Sequence, residues 1–414
     1  MLRLHNNLTL KTEVFIPAEE KKVKMYTCGP STYQRAHVGN YRTFLFEDIL
    51  QRYLEYLGYD VTRLMTLTDI EDKAIASAEA ANISVEELTN RNEKFFSSDC
   101  EKLRVKRPDY PVRASTIVNQ AVDLTETLLE KGIAYKHTYL GAENVYFNPK
   151  KFPSFGKLSH LDLKKWPERS RRFHLDTYPG MPWNKGDFVL WHGCRDGDRV
   201  CWDTSLGRGR PAWNIQDAAM VTKHLGFGVD LACGGRDNLV RHHDYTLAVA
   251  EAVSGIPFAR YWLHGGHLYV DGKKMSKSRG NVLYLDDLAD KGYCGEHIRF
   301  FLIYGAYRKR RQFTWLGLAK TSSKLDNFKK AVGDLAKASG LNSHPKARTL
   351  AQSISFTFRK YMDNDLDVKG AFDALHDSLG RLQRFSLDRE LSRKDAEAAI
   401  TDLRETDHVL QIIF

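Results

Sequence analysis

Residues 21–69, KKVKMYTCGPSTYQRAHVGNYRTFLFEDILQRYLEYLGYDVTRLMTLTD, decide the fold of this 414-residue chain. The opening KKVKMYTCGP starts charged and stops at Gly-Pro, which predicts a strand that delivers Cys28 to its C-terminal end. Apolar residues then recur at spacings of three and four up to Gly58, which predicts a helix, and VTRLMTLTD predicts a second strand. A strand, a helix and a strand within about fifty residues predict a right-handed parallel crossover unit.

The sequence after this unit predicts an α/β protein whose parallel sheet is split along the chain. From about residue 136 to residue 210 the sequence is irregular, aromatic and rich in Gly, Pro and basic residues, which indicates an insertion. VDLACGG, a helical segment at about 242–253 and YWLHGGHLYV then restore the alternation of strand and helix. From about residue 317 apolar residues follow helical spacing, which predicts a helical bundle at the end of the chain.

Composition narrows the class of protein without deciding its partner. The formal charge of +10 and the pI near 9.1 fit a nucleic acid, a phosphate-rich substrate or an anionic membrane surface equally well. The six cysteines form no CxxC pair and no regular framework, so we expect reduced thiols in a cytoplasmic protein. The N-terminus lacks an apolar signal region, and no window approaches the roughly 20 apolar residues that span a bilayer, so we expect no membrane partner.

A polar cluster stands at the start of the first predicted helix. His37, Gly39 and Asn40 follow a strand, at the place where a parallel sheet binds phosphates. Gly39 lets a ligand approach the backbone, and His37 and Asn40 can donate hydrogen bonds to phosphoryl oxygens as their charge grows in a transition state. His and Asn at a helix start also serve as caps, so the HVGN motif alone leaves both roles open.

The loop KKMSKSRGN at 273–281 supplies positive charge after a later strand. Lys274 and Lys277 can swing over a triphosphate and neutralise it as it is displaced, and the Ser and Gly residues keep such a loop mobile. The run RKRR at 308–311 is the densest cluster of charge and fits either a solvated surface patch or a phosphate contact.

HVGN and KMSKS, in that order and about 240 residues apart, resemble the two signature motifs of class I aminoacyl-tRNA synthetases. Further segments are similar, in collinear order, to cysteinyl-tRNA synthetase: LTDIEDKAI, RPDYPVRAS, DFVLW, GRGRPAWNI, DGKKMSKSRGNV and MDNDLDVKGAFDAL. The resemblance implies a doubly wound, Rossmann-like catalytic domain at 1–100 and 216–305. It also implies a connective insertion at 101–215 and, at 306–414, a stem-contact region and helical bundle without a terminal anticodon-binding domain.

The resemblance also implies roles for individual residues in ATP-dependent amino-acid activation. The side chains that stabilise the transition state, with Mg²⁺ on the phosphates, would be His37, Asn40, Lys274 and Lys277. The residues that hold ATP would be Gly39, Gly234, Gly235, Asp237, Met275, Ser276 and Ser278. The residues that hold the amino acid would be Cys28, Thr68, Trp213, Asp217, His242 and Thr246.

The sequence departs from the family at the zinc site. Cysteinyl-tRNA synthetases hold zinc with two Cys, one His and one Glu, and the zinc binds the substrate thiolate. Cys28 and His242 match, but Asp217 replaces the second cysteine and Thr246 replaces the glutamate. Either Cys28, Asp217 and His242 make a three-ligand zinc site, or the metal is lost and Asp217 and Thr246 read a different amino acid by hydrogen bonds. We favour loss of the metal. Cys233, which lies nearby in sequence, is a candidate substitute for the missing thiol ligand.

The acceptor of the activated amino acid stays open at this level. An ending at the last bundle helix is the layout of the mycothiol-pathway cysteine ligase, a relative that joins cysteine to an amino sugar instead of tRNA. We therefore consider an authentic cysteinyl-tRNA synthetase, a ligase for a small amine and an enzyme for another amino acid. A non-catalytic binding paralogue is the alternative from a different class, and the intact HVGN and KMSKS motifs argue against it. We expect a monomer.

Overall fold

The computed structural model of the chain describes residues 1–139, 141–162, 186–270, 272–275 and 280–414. The predicted crossover unit is confirmed: β3 (Lys22–Thr27) and β4 (Asp60–Leu67) pair in parallel, and α1 (Val38–Tyr56) connects them. Gly58 ends the helix because its φ of +84° lies in the left-handed region, which costs glycine little.

The other elements follow in chain order. The remaining helices are α2 (Asp72–Ala80), α3 (Val85–Lys102), α4 (Val118–Glu130), α5 (Trp213–Leu225), α6 (Asp244–Ser254), α7 (Leu285–Ala289), α8 (Gly295–Ile303), α9 (Trp315–Leu335), α10 (Pro345–Ala351), α11 (Ile354–Met362), α12 (Val368–Leu387) and α13 (Arg393–Leu410). The remaining strands are β1 (Arg3–Asn6), β2 (Lys11–Val14), β5 (Tyr110–Arg113), β6 (Ala134–Tyr139), β7 (Ala142–Phe147), β8 (Phe188–Gly193), β9 (Gly209–Pro211), β10 (Val229–Gly235), β11 (Ala259–Gly265), β12 (Leu268–Val270), β13 (Lys273–Lys274) and β14 (Arg311–Phe313).

The central sheet is parallel and doubly wound, as predicted. Its strand order is β11-β10-β3-β4-β5, so the chain moves outward from β3 to β5 and then returns to the other side of β3 for β10 and β11. The order reverses between β3 and β10. In open α/β sheets a ligand crevice forms at such a switch point, beyond the carboxyl ends of the strands.

The insertion is a separate antiparallel sheet, ordered β6-β7-β8-β9. It starts later than the boundary predicted at residue 101, because β5 pairs with β4 through partners such as Leu64 and Tyr110 and completes the parallel sheet. The parallel unit therefore extends to β5, and the second sheet occupies the chain from Ala134 to Pro211.

The expectation that all six cysteines are reduced is wrong for one pair. Cys194 and Cys201 form a disulfide across seven residues of sequence, with their Cα atoms 6.3 Å apart. The pair lies in the connection between the antiparallel strands β8 and β9, where Trp202 pairs with Gly209 and turns the chain back. Cys28, Cys100, Cys233 and Cys294 are free thiols.

Buried arginines join the parallel unit to the C-terminal helices. Arg299 on α8 lies 2.5 Å from the Asp48 carboxylate on α1 and donates to the carbonyl oxygens of Leu410 and Leu103. Because every donor of a buried guanidinium needs an acceptor, this arginine fixes how α1, α8 and α13 meet.

Two arginines of the RKRR run make contacts within the protein. Arg308 pairs with Asp365 at 2.6 Å, and Arg311 donates to the carbonyl oxygen of Tyr304. Within the described ranges, no helix combines the length and the apolar character that a membrane crossing requires.

Candidate active site

A cavity of about 520 Å³ opens at the switch point of the parallel sheet. Three segments that are distant in sequence form its walls: the residues after β3, the start of α1, and the end of β10. The predicted site residues that line it are Cys28, His37, Gly39, Asn40, Thr68, Trp213, Gly235, Asp237, His242 and Met275. The structure therefore brings most of the predicted residues to one place.

At one end of the cavity the HVGN motif begins α1. His37 is the N-cap residue, and its backbone N–H donates to Asn40 Oδ1 at 3.0 Å. The cap role and the ligand role are compatible, since the bond occupies the carboxamide oxygen of Asn40 and the amino group is what Asn40 offers to a phosphate. We call this end, with His37, Gly39 and Asn40, the phosphate end.

Gly39 lies close to both signature motifs. A Cβ atom at this position would lie 3.0 Å from the His37 ring and 3.5 Å from the sulfur of Met275, which belongs to KMSKS. A side chain here would force the His37 ring to move by a few tenths of an ångström. The start of α1 and the segment after β13 therefore form one wall of the cavity.

The lysine loop follows β13, which pairs with β12 in antiparallel register and places Lys274 opposite Tyr269. Met275 is buried, and its N–H donates to the carbonyl oxygen of Leu268. Ser276, Lys277 and Ser278 lie outside the described residues, as does the side chain of Lys274, so their roles stay predictions.

The end of β10 forms the floor of the phosphate end. A Cβ atom on Gly235 would lie 2.7 Å from Asp237 Oδ1, so glycine allows this carboxylate to fold against the backbone beside the cavity. Gly234 does not line the cavity; a Cβ atom there would lie 2.6 Å from the ring of His243. Glycine at this position makes room for a buried histidine.

Eleven further residues line the cavity that sequence reasoning did not select, and Tyr33, Lys73, Asn238 and His267 are among them. Lys73 lies over the ring of Tyr33, with its ammonium nitrogen 5.4 Å from the ring centroid. It brings a cation to the cavity from α2. Lys73 stands in LTDIEDKAI and Asn238 directly after CGGRD, so the quoted segments contained the signal without singling out these residues.

The other end of the cavity, which we call the side-chain end, is formed by Cys28, Trp213, Asn238 and His242. The Trp213 and His242 rings stack with centroids 4.0 Å apart and planes 10° apart. Cys28 Sγ lies 3.5 Å from His242 Nε2 and accepts a hydrogen bond from Asn238 Nδ2 at 3.1 Å. Burial, together with the charge of Asp217, raises the pKa of the Cys28 thiol well above its usual value.

Asp217 and Thr246, the two residues that depart from the family, lie behind this wall and outside the cavity lining. Asp217 Oδ2 lies 2.8 Å from His242 Nε2 and accepts from the hydroxyl of Tyr26. Burial alone would raise the pKa of Asp217, but His242 and these hydrogen bonds lower it below its usual value. Thr246 donates its hydroxyl to the carbonyl oxygen of His242 at 3.0 Å. Neither residue is part of the cavity wall.

The donor atoms at the side-chain end do not fit a zinc ion. Zinc bonds of about 2.0–2.3 Å place two tetrahedral ligands about 3.3–3.5 Å apart. Cys28 Sγ and His242 Nε2 keep this separation at 3.5 Å. The 2.8 Å between His242 and Asp217 is a hydrogen-bond distance, shorter than two ligands of one ion require.

His243 is the other nitrogen ligand near Cys28 and His242. Its Nδ1 lies 2.8 Å from His264 Nε2, and Asn7 Nδ2 lies 2.7 Å from His264 Nδ1, so with Asn7 as the donor the proton of a neutral His243 falls on Nε2. This Nε2 is buried without a hydrogen-bond partner among the described residues, and a metal there would have to displace its proton. Burial and the neighbouring His264 lower the pKa of His243 well below its usual value, which favours the neutral ring. In the part of the chain that the structure describes, Cys28 and His242 keep the spacing of zinc ligands, and two ligands are fewer than the three that a catalytic zinc site uses.

Comparison with known proteins agrees with the geometry. Residues 14–323 match the family model described as tRNA synthetases class I (C) catalytic domain. The cysteine-tRNA ligase of Chlamydia pneumoniae is 38% identical over 418 residues, which cover 100% of this chain and 86% of the relative. The cysteine-tRNA ligase of Chlamydia muridarum is 36% identical over 426 residues, covering 100% of this chain and 88% of the relative.

A solved structure with a different specificity shows the same fold. Methionyl-tRNA synthetase from Mycobacterium tuberculosis, in complex with methionyl-adenylate, superposes with a TM-score of 0.68 at 18% identity. The superposition covers 95% of this chain and 90% of that one. Since the family model spans most of this chain and the relatives match all of it, the chain belongs to the cysteinyl-tRNA synthetase family of class I tRNA synthetases, which are ATP-dependent ligases.

Proposed function

We propose that this enzyme activates an amino acid with MgATP in the cavity at the switch point and transfers the aminoacyl group to tRNA. One observation carries the proposal: HVGN, the end of β10 and Met275 of KMSKS line a single cavity at the switch point of the parallel sheet. Open α/β sheets bind their ligands in a crevice at this place.

In the proposed first step a carboxylate oxygen of the amino acid attacks the α-phosphorus of ATP. A new oxygen–phosphorus bond forms, the bond between the α-phosphorus and the bridging oxygen of the β-phosphate breaks, and pyrophosphate leaves. A Mg²⁺ ion on the phosphates would supply further positive charge. His37 and the Asn40 amino group donate to the phosphoryl oxygens as charge develops on them, which is where preorganised donors contribute most. Lys274 and Lys277 would neutralise the departing pyrophosphate, and Gly235 and Asp237 would hold the ribose.

In the proposed second step a terminal ribose hydroxyl of tRNA attacks the carbonyl carbon of the adenylate, an ester bond forms, the bond to the phosphate breaks, and AMP leaves. The cysteine-tRNA ligases of Chlamydia match this chain along its whole length, helical bundle included, and this favours tRNA over a small amine. The net charge of +10 suits a polyanionic partner. We place the enzyme in the cytoplasm as a monomer, where ATP and tRNA are available.

The test is amino-acid-dependent exchange of pyrophosphate into ATP, screened over the twenty amino acids, followed by aminoacylation of total tRNA. We expect exchange with at least one small amino acid and acid-precipitable label on tRNA. Exchange without charging would identify a small-amine ligase instead. Exchange with no amino acid would refute adenylate formation and favour the binding paralogue.

A further inference from the structure

We infer that the amino-acid subsite of this enzyme is metal-free and that Cys28 and Asn238 hold the substrate side chain by hydrogen bonds against Trp213. The substrate class is a small amino acid whose side chain ends in a thiol or a hydroxyl. The inference rests on the proposed function, since it concerns the amino acid that the cavity activates.

The first support is what replaces the missing ligands. A cysteine at position 217 would have no reason to accept from Tyr26, whereas the Asp217 carboxylate joins two buried donors, the Tyr26 hydroxyl and His242 Nε2. Tyr26, Asp217 and His242 are each no more than 2% exposed. To bind a metal together with His242, Asp217 would have to give up its hydrogen bond to His242 Nε2, and buried polar groups resist such a loss.

The second support comes from α6. Thr246 stands one helical turn after His242 and bonds back to its carbonyl oxygen at 3.0 Å. Its side chain carries no charge and is 1% exposed, so it cannot reach past His242 to an ion. Together the two substituted residues bond to His242 itself: Asp217 holds the ring at Nε2, and Thr246 holds the backbone carbonyl.

The third support is what still faces the cavity. Cys28 is a partly buried residue that lines the cavity, and its Sγ receives one N–H of the Asn238 amide at 3.1 Å. Trp213, stacked on His242, closes the side. A thiol can both donate and accept weakly, and an amide donates twice, so this end can engage a substrate thiol or hydroxyl without a metal–sulfur bond.

Selectivity follows from the absence of a soft metal. Zinc separates sulfur from oxygen directly, whereas a pocket of ordinary side chains rejects an isosteric hydroxyl by only about 10²-fold. We therefore expect kcat/KM in pyrophosphate exchange to favour cysteine over serine by no more than about 10²-fold.

The first experiment measures zinc in the wild-type protein, purified without chelators from zinc-supplemented medium, by inductively coupled plasma mass spectrometry. We expect far less than one zinc per chain, and exchange rates that 1,10-phenanthroline leaves unchanged. One zinc per chain that is lost in Cys28→Ser would overturn the inference. A cysteine-to-serine preference far above 10²-fold in zinc-free protein would overturn its selectivity part.

The second experiment rebuilds the ligand set. Asp217→Cys with Thr246→Glu should gain one zinc per chain and raise the cysteine preference, whereas the matched control Asp217→Ser with Thr246→Gln should gain none. Asp217→Cys leaves the Tyr26 hydroxyl without its acceptor. A further version therefore adds Tyr26→Phe, which removes that hydroxyl and protects folding. Failure of a folded rebuilt variant to gain zinc would overturn the view that these two positions decide metal binding.

The outcomes separate the inference from the proposed function. Zinc content is read without any substrate, so it decides the inference even if no amino acid supports exchange. Conversely, cysteine-dependent exchange by a zinc-loaded wild type would sustain the proposed function and refute the metal-free subsite.

Discussion

The two ends of the active-site cavity differ in how they relate to the family. At the phosphate end His37, Gly39 and Asn40 stand in their motif, and they share the cavity lining with Met275 of the second motif. At the side-chain end two of the four family ligand positions carry other residues, Asp217 and Thr246, which lie outside the cavity lining. Under the proposed function, the chemistry of the adenylate and the choice of amino acid would therefore be separable parts of one site.

The largest effect is expected from His37→Ala at the phosphate end. The loss of one preorganised donor to a developing oxyanion typically costs about 10²–10³ in rate, so kcat for pyrophosphate exchange should fall by this factor. The cysteine-to-serine ratio should not move, because His37 does not reach the side-chain end. His408→Ala, an exposed histidine on α13, is the matched control. An equal loss of kcat in His37→Ala and His408→Ala would contradict a specific role for His37.

Trp213→Ala should produce the opposite signature at the side-chain end. Loss of the ring stacked 4.0 Å from His242 removes a wall of the amino-acid subsite. An aromatic contact of about 1 kcal/mol plus lost apolar burial predicts a roughly tenfold higher KM for the amino acid. The KM for ATP should stay unchanged, and steady-state exchange kinetics measure both. A higher KM for ATP alone would contradict the assignment of the two ends.

Gly39→Ala tests the contact between the motifs. The added methyl group would sit 3.0 Å from the His37 ring, so the ring must shift by a few tenths of an ångström. Displacement of a catalytic group by this amount predicts about a tenfold loss of kcat, less than removal of His37. Thermal unfolding should show the protein still folded. Wild-type kcat in a folded Gly39→Ala protein would show that the His37 ring position is unimportant.

The smallest effect on catalysis is expected from Cys194→Ser with Cys201→Ser in the insertion. The disulfide closes a short loop, and its loss should lower the free energy of unfolding by about 2–3 kcal/mol through chain entropy. Pyrophosphate exchange should be unchanged. Alkylation of the denatured, unreduced wild type should label the four free cysteines and spare this pair. Labelling of all six would disprove the disulfide.

Local patterns in the sequence predicted the crossover unit. The apolar spacing that indicates α1 and the glycine that ends it, Gly58, both lie within or next to that one helix. They did not reveal β5, since YPVR is four residues long, contains proline and pairs with a strand more than forty residues earlier. They also missed the disulfide, because a seven-residue separation carries no signal until the hairpin between β8 and β9 folds.

At the side-chain end the sequence identified the substituted positions but not the direction in which their side chains point. Whether Asp217 faces the cavity or the core depends on where Tyr26 and His242 sit, and both come from other elements. His243 Nδ1 contacts His264 on β11, and His264 in turn contacts Asn7, which follows β1. Contacts between residues that are far apart in sequence leave no periodic pattern, so the sequence alone does not predict them.

Arg42, two residues after Asn40 on α1, links the helix that lines the cavity to α8 and to the strands β12 and β14. Its guanidinium donates to the carbonyl oxygen of Leu302 on α8 and to those of Gly266, Ala306 and Lys309, which precede β12 and β14. β12 in turn carries the strand of Lys273 and Lys274. Helix and lysine hairpin therefore form one mechanical unit, so nucleotide binding should slow amide hydrogen exchange at 302–309, beyond direct reach of the ligand.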